Sequence, residues 1–428
     1  MIPIYDFDQV SPEEIFSRET DRADVSGAVA AIIADVRQNG DSALLRYARE
    51  FDHAELTAVE VPREAMEAAA LGLDSGLRAV MEEAAANIRD FHRRQRRESF
   101  VVSEKDGVIL GQKITPIEKV GLYIPGGTAA YPSSVLMNAI PAKLAGCREI
   151  VMVSPPTCGG DVNPAILAAA YIAGVDRVFR CGGAQAVAAL AYGTETVPRV
   201  DKIVGPGNAY VAEAKRQVFG LVNIDMIAGP SEVLVIADGN SNPAWVAADL
   251  LSQAEHDKMA SAVLVTDSRE LAQAVSREIE NQLQTLEREE IARTSIEANG
   301  KIIVARSLTQ AAAVANRIAP EHLELSVDDP FDYLGLIENA GSIFLGRYNP
   351  EPMGDYFAGP NHTLPTMGTA RFYSPLSVDD FIKKSQFSYY TRKALERDYR
   401  KVSRFAKEEG LTAHARAVDI RFEKEGEP

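Results

Sequence analysis

The chain has 428 residues, more than a single hydrophobic core usually holds, so the sequence predicts at least two domains. Apolar residues make up 46% of it and charged residues 25%, which excludes a disordered or fibrous protein. With 45 basic and 61 acidic side chains the net charge is −16, so nucleic acid is not expected as a partner. Three cysteines without CxxC spacing, and no run typical of a signal peptide or membrane span, favour a cytoplasmic protein.

The N-terminal part of the chain is mainly helical in pattern. Ser11–Glu14 has the serine cap and the proline typical of a helix start. Periodicity predicts three further helices: Val25–Gln38, Asp41–Glu50 and Ser75–Arg97. Asn39-Gly40 is the stop signal between the first two of these. A β-hairpin is predicted from two short strands: Phe100–Val102 and Val108–Ile114.

Short apolar runs alternate with helical segments through most of the remaining chain. The first series of predicted strands is Val120–Ile124, Glu149–Val153, Arg177–Arg180, Lys202–Val204 and Glu232–Ile236. The second series of predicted strands is Ala262–Val265, Ile302–Val304 and Ser342–Leu345. This alternation predicts parallel sheets with right-handed crossovers, and hence an α/β fold with two such units. The charged segment from about Val378 predicts a helical arm that packs on a partner.

Three glycine-rich turns each follow a predicted strand and precede a predicted helix. They are Pro125-Gly126-Gly127, Gly182-Gly183-Ala184-Gln185 and Gly205-Pro206-Gly207-Asn208. In open α/β sheets ligands bind beyond the carboxyl ends of the strands, where these turns fall. Glycine lets backbone approach a phosphate, and a helix start offers unpaired N–H groups. None of the turns completes G-x-G-x-x-G, so a nucleotide site and ordinary tight turns both remain open.

Metal binding and proton transfer at neutral pH would draw on the six histidines of the chain. Gln253 and His256 lie three residues apart at a predicted helix end, so an amide oxygen and an imidazole share a face and suit a divalent ion. Glu321 and His322 stand where a strand begins, and a carboxylate beside an imidazole is an acid–base combination. Each pattern is also compatible with an ordinary polar end of a helix or strand.

Two further histidines lie in less regular surroundings. The run Gly354–His362 predicts a loop broken by glycine and proline, which carries Asp355. Functional residues favour such loops on a rigid scaffold, although a surface turn is the alternative. His414 lies in the predicted C-terminal arm, and it acquires a role only if that arm reaches another site.

Eight segments in this order resemble the histidinol dehydrogenase family over nearly the whole chain. They are Val120–Gly127, Gly182–Ala186, Lys202–Asn208, Ala228–Leu234, Asp249–His256, Pro320–Leu323, Gly354–Tyr356 with Asn361-His362, and Leu411–His414. Each segment alone is a modest signal, whereas eight in the same order are specific. The resemblance implies an L-histidinol:NAD oxidoreductase of histidine biosynthesis.

The resemblance also implies roles for individual residues. It implies one zinc ion per subunit, with the ligands Gln253, His256, Asp355 and His414 of the partner subunit. The implied NAD contacts are Tyr123, Gln185 and Asn208. The implied substrate contacts are Ser231, His322, Glu409 and the zinc ligands. The implied catalytic acid–base pair is Glu321 and His322.

The implied fold pairs two incomplete Rossmann-like domains, related to the aldehyde dehydrogenase fold, with small helical terminal arms that intertwine a homodimer. The sequence then divides into an N-terminal arm (1–23), a larger α/β domain (24–119 with 237–377), a Rossmann-like NAD-binding domain (120–236) and a C-terminal dimerisation arm (378–428). The larger domain would carry most metal and catalytic residues. L-histidinol and a second subunit are the implied partners, without nucleic acid or membrane.

The residue types suit a four-electron oxidation of L-histidinol, through L-histidinal, to L-histidine with two NAD. In this interpretation His322 accepts a proton in both steps, and Glu321 activates the water that hydrates the aldehyde. No cysteine nucleophile is needed. Three alternatives remain open: a relative that oxidises another amino alcohol, a zinc hydrolase that uses Glu321 without NAD, and a non-catalytic binding protein on the same scaffold.

Overall fold

The computed structural model describes residues 1–16, 24–126 and 130–423. Residues 17–23 of the expected N-terminal arm, Gly127 of the first glycine-rich turn and the last five residues of the C-terminal arm lie outside the described residues. The chain divides into two compact units. The first unit is Met1–Arg96 with Ile117–Phe381, and the second unit is Arg97–Pro116 with Ile382–Pro428.

The strands of the described residues form three sheets. In chain order they are β1 (Ile4–Asp6), β2 (Glu60–Val61), β3 (Phe100–Val102), β4 (Val108–Pro116), β5 (Lys119–Tyr123), β6 (Glu149–Ser154), β7 (Arg177–Arg180), β8 (Lys202–Val204), β9 (Asn223–Ile224), β10 (Glu232–Ala237), β11 (Ser261–Thr266), β12 (Lys301–Val304), β13 (His322–Ser326), β14 (Ser342–Leu345) and β15 (Ile382–Tyr390). Every strand predicted in the alternating part of the sequence is present, within one residue at each end. Short apolar runs between turn signals therefore locate these strands well.

The helices account for most of the remaining described residues. They are α1 (Pro12–Phe16), α2 (Ser26–Phe51), α3 (Arg63–Gly72), α4 (Ser75–His92), α5 (Pro132–Ala145), α6 (Pro164–Ala173), α7 (Gly183–Tyr192), α8 (Ala209–Val218), α9 (Pro243–Ala254), α10 (Arg269–Leu283), α11 (Glu289–Asn299), α12 (Leu308–Ile318), α13 (Pro330–Leu334), α14 (Glu351–Tyr356), α15 (Arg392–Glu408) and α16 (Thr412–Asp419). Gly40 breaks α2 with a φ of +50°, at the predicted stop between two helices. Among the described residues, no helix is both long and apolar enough to cross a membrane.

The first sheet belongs to the first unit and has the strand order β2-β7-β6-β5-β8-β9. β2 is antiparallel to its neighbour, and the other strands are parallel. Counted from β5, the parallel strands follow the spatial order 3-2-1-4-5, which is a Rossmann-type order without the sixth strand. The order reverses between β5 and β8, so a ligand crevice is expected beyond the carboxyl ends of these two strands.

The second sheet also belongs to the first unit, and all of its strands are parallel in the order β1-β12-β11-β10-β13-β14. Counted from β10, it repeats the order 3-2-1-4-5, with β1 added at the edge. The register of β10 and β13 sets Val233 beside His322. The prediction of an α/β fold with two incomplete Rossmann-like sheets is confirmed.

The helices α2, α3 and α4 cover the first sheet. Val29 and Ile33 of α2 are buried in one cluster with Phe179 of β7, while α3 and α4 pack on α6 and α5. The domain division expected from the sequence differs from this packing. The expected division groups residues 24–119 with the second sheet and most of β10 with the first sheet. It also assigns β1 to the N-terminal arm. An apolar helix stripe shows that a helix is buried, but it does not identify the sheet that the helix covers.

The second unit contains an antiparallel sheet of order β15-β4-β3 and the helices α15 and α16. The predicted hairpin is confirmed as β3 and β4. The predicted helical arm from about Val378 is wrong over its first part, because Ile382–Tyr390 is a strand that pairs with Val108–Pro116 along its whole length. The stabilising partner of this strand is distant in the sequence, so the local pattern does not reveal it. Beyond this strand the arm is helical, as predicted.

Asp52 at the end of α2 bears on the pH dependence of stability. Its Oδ2 atom is buried and makes no hydrogen bond within the described part of the chain. Burial raises the pKa of Asp52 from 3.8 to about 6, against the opposing effect of His53. Between these two values the unfolded chain releases the proton while the folded chain keeps it, so stability falls as the pH rises through this range.

We therefore expect Asp52→Asn to raise the free energy of unfolding at pH 7 by about 1 kcal/mol, since solvent screens part of the penalty for a partly exposed carboxyl. At about pH 3, where the carboxyl is largely protonated in both states, the two proteins should differ little. Denaturant unfolding of both proteins at the two pH values measures the difference. Equal differences at both pH values would contradict this account of Asp52.

Candidate active site

Three residues predicted to contact a cofactor lie at the carboxyl edge of the first sheet. Tyr123 ends β5, Gln185 lies in the first turn of α7 after β7, and Asn208 caps α8 after β8. Because parallel strands end at the same edge, the three residues lie along the carboxyl edge of this sheet, with Tyr123 and Asn208 following the two strands between which the order reverses. The fold thus brings them to the crevice expected for a ligand.

Specific contacts hold the turns of this crevice in place. The Tyr123 hydroxyl accepts a hydrogen bond of 3.0 Å from the Gly183 amide, which ties β5 to the start of α7. Gly205 has a φ of +115°, and a Cβ there would overlap the carbonyl oxygen of Tyr123. The Asn208 side-chain oxygen accepts from two amides in the first turn of α8. These turns are therefore fixed without a bound ligand.

Glu321 and His322 stand at the entrance of β13, as predicted. The preceding helix ends at Ala319, which is left-handed with a φ of 53°. The Glu321 carboxylate accepts a hydrogen bond of 2.9 Å from the Glu232 amide, and His322 Nδ1 lies 3.0 Å from the Glu232 carbonyl oxygen. Glu321 Oε2 is 3.7 Å from His322 Nδ1. Both side chains thus contact one residue of β10, because the alternation of a strand is not yet set at its first residue.

The hydrogen bond to Glu232 decides which nitrogen of His322 is available. A carbonyl oxygen only accepts, so Nδ1 carries a proton and donates it. Nε2 faces Asp355 Oδ1 at 3.5 Å and Glu351 Oε1 at 3.9 Å, and it makes no hydrogen bond among the described residues. The residue is only 3% exposed. Nε2 is therefore the atom through which His322 can exchange a proton with a bound molecule.

Burial and mutual charge perturb the whole cluster. Burial raises the pKa of Glu321. Burial acts to lower the pKa of His322, but the nearby carboxylates of Glu321, Asp355 and Glu351 outweigh it and raise that pKa. Burial also raises the pKa of Glu351, and the adjacent Asp355 carboxylate acts in the same direction. Several perturbed groups in one buried pocket are typical of an acid–base site.

Of the predicted metal ligands, Asp355 belongs to the cluster around His322, whereas His256 lies outside the group of described side chains whose ligand atoms are within 4.8 Å of one another. Burial lowers the pKa of His256, and the Asp355 carboxylate acts against this effect. Gln253 is 1% exposed, and its Oε1 atom makes no hydrogen bond within the described residues. A buried oxygen without a donor is costly unless a ligand satisfies it. An amide oxygen, an imidazole nitrogen and a carboxylate oxygen are donor types that suit a zinc ion bound without thiolates.

Glu351 is a further member of the cluster that the sequence analysis does not single out. His322, Glu351 and Asp355 each place a ligand atom within 4.8 Å of the others. The Glu351 carboxylate accepts a hydrogen bond of 3.1 Å from the Ser252 hydroxyl. Glu351 and Asp355 are four residues apart on α14, so they share a helical face. The predicted loop Gly354–His362 is thus helical in its first part, and reading it as a loop conceals this spacing.

His362 connects this cluster to the first sheet. Its Nδ1 donates to the Asp355 carbonyl oxygen at 2.9 Å, and its Nε2 lies 3.1 Å from the Ser134 hydroxyl at the start of α5. Burial lowers the pKa of His362 and so favours the neutral ring. The Asp355 carboxylate acts in the opposite direction. Two hydrogen bonds therefore fix the backbone of Asp355 relative to the helix that follows β5.

The remaining predicted site residues lie in two places. Ser231 directly precedes Glu232, whose backbone holds the acid–base pair, so it stands next to that pair. Glu409 and His414 lie in the second unit, at the end of α15 and in α16, and both are exposed. The contacts predicted for these three residues stay predictions.

The cysteines do not suggest a competing nucleophile. Cys147 and Cys181 are buried, and burial raises the pKa of each thiol. Cys158 is exposed in the turn that follows β6. A thiol with a raised pKa is a poor nucleophile at neutral pH, in agreement with chemistry that uses no cysteine.

The fold and this pocket place the chain among the α/β oxidoreductases. A buried imidazole whose free nitrogen faces carboxylates can accept the proton that an alcohol loses on oxidation. The model of the histidinol dehydrogenase family matches residues 16–422, and the chain belongs to that family.

Relatives agree with this assignment over nearly the full length. The chain is 57% identical to histidinol dehydrogenase of Syntrophotalea carbinolica over 406 residues, which is 94% of each chain. It is 55% identical to that of Listeria monocytogenes over 401 residues, again 94% of each chain. The crystal structure of histidinol dehydrogenase from Elizabethkingia anophelis matches with a TM-score of 0.93 and 40% identity, covering 98% of both chains. The resemblance seen in the eight sequence segments is confirmed.

Proposed function

We propose that this protein oxidises L-histidinol through L-histidinal to L-histidine, with two NAD and one zinc ion per subunit, in the last steps of histidine biosynthesis. The observation that carries the proposal is the buried Glu321–His322 pair, with His322 Nε2 free and aimed at the carboxylates of the pocket. The names of the relatives support the substrate.

In the proposed mechanism His322 acts in both oxidations. Its Nε2 takes the hydroxyl proton of L-histidinol, and later that of the hydrated aldehyde, while Nδ1 stays bonded to Glu232. Glu321 activates the water that hydrates L-histidinal. NAD supplies the hydride acceptor when bound, and Tyr123, Gln185 and Asn208 would hold it at the crevice of the first sheet.

The metal would be held by Gln253, His256, Asp355 and His414 of the partner subunit. Bound zinc supplies a Lewis acid that orients the amine and imidazole of the substrate. The unsatisfied Gln253 Oε1 atom and the absence of thiolates from this donor set support the choice of ion. Ser231 and Glu409 would complete the substrate site.

Formation of NADH on addition of L-histidinol and NAD tests the proposal. The expected result is a rise in the absorbance of NADH that needs both compounds, and that is also obtained with L-histidinal in place of L-histidinol. Activity with other amino alcohols but not with L-histidinol would favour the alternative that the protein oxidises a different amino alcohol. A zinc-dependent hydrolysis without NADH formation would favour the hydrolase.

A homodimer with a shared site is part of the proposal. The second unit exposes several large apolar side chains: Phe100, Val101, Leu110, Phe387, Tyr389, Tyr390 and Phe405. An apolar surface of this kind marks a contact with another chain. His414 is exposed in the same unit and would complete the metal site of the other subunit.

Mixing two inactive variants, His414→Ala and His256→Ala, is expected to restore activity. If His414 acts on the partner subunit, each mixed dimer has one intact site of two. Random mixing makes about half of the dimers mixed, so about a quarter of wild-type activity should return. Kinetics after co-expression or joint refolding measure the recovery.

A mixture of His256→Ala with Gln253→Ala is the matched control. Both changes lie in the same part of the chain, so every site in that mixture is broken and no activity should return. If the His414→Ala mixture is as inactive as the control, the shared site is contradicted.

A further inference from the structure

A buried ion pair that the proposed mechanism does not use lies beneath the cofactor crevice. Lys215 on α8 pairs with Asp225, which directly follows β9. The two side chains are only 2% and 1% exposed. A buried ion pair is no more stable than apolar residues of the same volume, so its net contribution to stability does not account for it.

The other contacts of the pair go to the backbone of one turn. Asp225 Oδ2 accepts a hydrogen bond of 2.7 Å from the Gly205 amide, and Lys215 Nζ donates to the Gly205 carbonyl oxygen at 3.1 Å. Both peptide groups of Gly205 are thus bonded to this one pair. Asp225 Oδ1 also accepts a hydrogen bond of 2.6 Å from the Met226 amide.

Gly205 has a positive φ, a backbone conformation that residues with a side chain rarely adopt. Its φ of +115° lies outside the range that side chains favour, and its Cα packs directly on the carbonyl oxygen of Tyr123. Three residues further on, the side chain of Asn208 caps α8. A turn in this conformation keeps its shape only when its polar groups are satisfied, and the pair satisfies them.

We propose that Lys215 and Asp225 are positioning residues for the nucleotide cofactor. They fix Gly205 against Tyr123, and so they set the turn that carries Asn208 to the shape that the cofactor needs. This inference rests on the proposed function, in which the crevice takes NAD.

The test is a comparison of Michaelis constants for the two substrates. Lys215→Met and Asp225→Asn are each expected to raise the KM for NAD about tenfold or more, since a small misplacement of a positioned group has effects of this size. The KM for L-histidinol should change less than about twofold, because no contact of the pair goes to the Glu321–His322 cluster. Lys215→Arg, which keeps the cation, should lie between wild type and Lys215→Met.

Lys202→Met is the matched control. Lys202 on β8 is likewise buried, at 4% exposed, and it pairs with Asp380 at 3.2 Å. The Lys202→Met variant should have a lower thermal stability than the wild type and an unchanged KM for NAD. If it raises that KM as much as Lys215→Met does, the effect is a general loss of stability and the proposal is overturned.

Hydrogen exchange on the wild-type protein covers the case in which the variants do not fold. The Gly205 amide should be protected in the protein without NAD, because Asp225 already holds it. Rapid exchange that slows only when NAD is added would overturn the proposal. A wild-type protein that neither binds nor reduces NAD would refute the proposed function instead. Wild-type activity together with an unchanged KM for NAD in folded Lys215→Met and Asp225→Asn would refute the positioning role alone.

Discussion

His322→Asn is expected to lower kcat/KM for both L-histidinol and L-histidinal by about 10²–10⁴-fold, the usual loss when a positioned base is removed. Asparagine can still donate to the Glu232 carbonyl oxygen, but it has no nitrogen that accepts a proton. Glu321→Gln should separate the two steps. Glutamine keeps an oxygen that can accept from the Glu232 amide, yet it cannot activate water, so oxidation of L-histidinal should fall more than that of L-histidinol.

Steady-state rates with each compound as the starting substrate measure both variants. Glu60→Gln is a suitable control, because Glu60 pairs with Arg177 at the edge of the first sheet and should affect neither step. An equal loss in the two steps for Glu321→Gln would be inconsistent with a role in water activation. Substantial activity of folded His322→Asn would remove His322 from the mechanism.

Removal of the metal is expected to abolish turnover, and zinc should restore it. The buried Gln253 Oε1 atom accepts no hydrogen bond from the described residues, so a cation is a partner that fits it. Gln253→Ala should therefore weaken zinc binding by at least about 10–100-fold, because the loss of a ligand exceeds the loss of a residue that only supports one. The zinc content per subunit and the activity, measured on the same samples, test both the loss of turnover without metal and the weaker zinc binding of Gln253→Ala.

Gln282→Ala is the control for Gln253→Ala. The Gln282 amide donates to the Ala244 carbonyl oxygen at the start of α9, the helix that carries Gln253. This variant loses a contact with the same helix but no metal ligand, so its zinc content should be that of wild type. Full activity of metal-free protein, or equal zinc loss in the two variants, would contradict the proposed ligand set.

The sequence was sufficient for the parts of the site that depend on local pattern. Apolar runs located the strands, and the strand entrance located Glu321 and His322 together. The glycine-rich turns were located from their place after the predicted strands, whereas Tyr123 was predicted from the family resemblance alone. The strands and turns follow from periodicity and from the rule that ligands bind where parallel strands end.

Other parts depend on contacts between distant segments, which a single sequence does not reveal. The role of Glu232 follows from the register of β10 and β13, which sets its backbone against the acid–base pair. Lys215 resembles any lysine on a solvated helix face until Asp225 and Gly205 are seen beside it. Glu351 was missed for a local reason, since a six-residue helix between prolines and glycines resembles a loop.

The stoichiometry of NADH formation tests the central claim most directly, namely that one site performs both oxidations. With L-histidinol limiting and NAD in excess, the account predicts two NADH for each L-histidinol consumed, with L-histidine as the product and L-histidinal not accumulating. One NADH for each L-histidinol, with L-histidinal released as the end product, would contradict it.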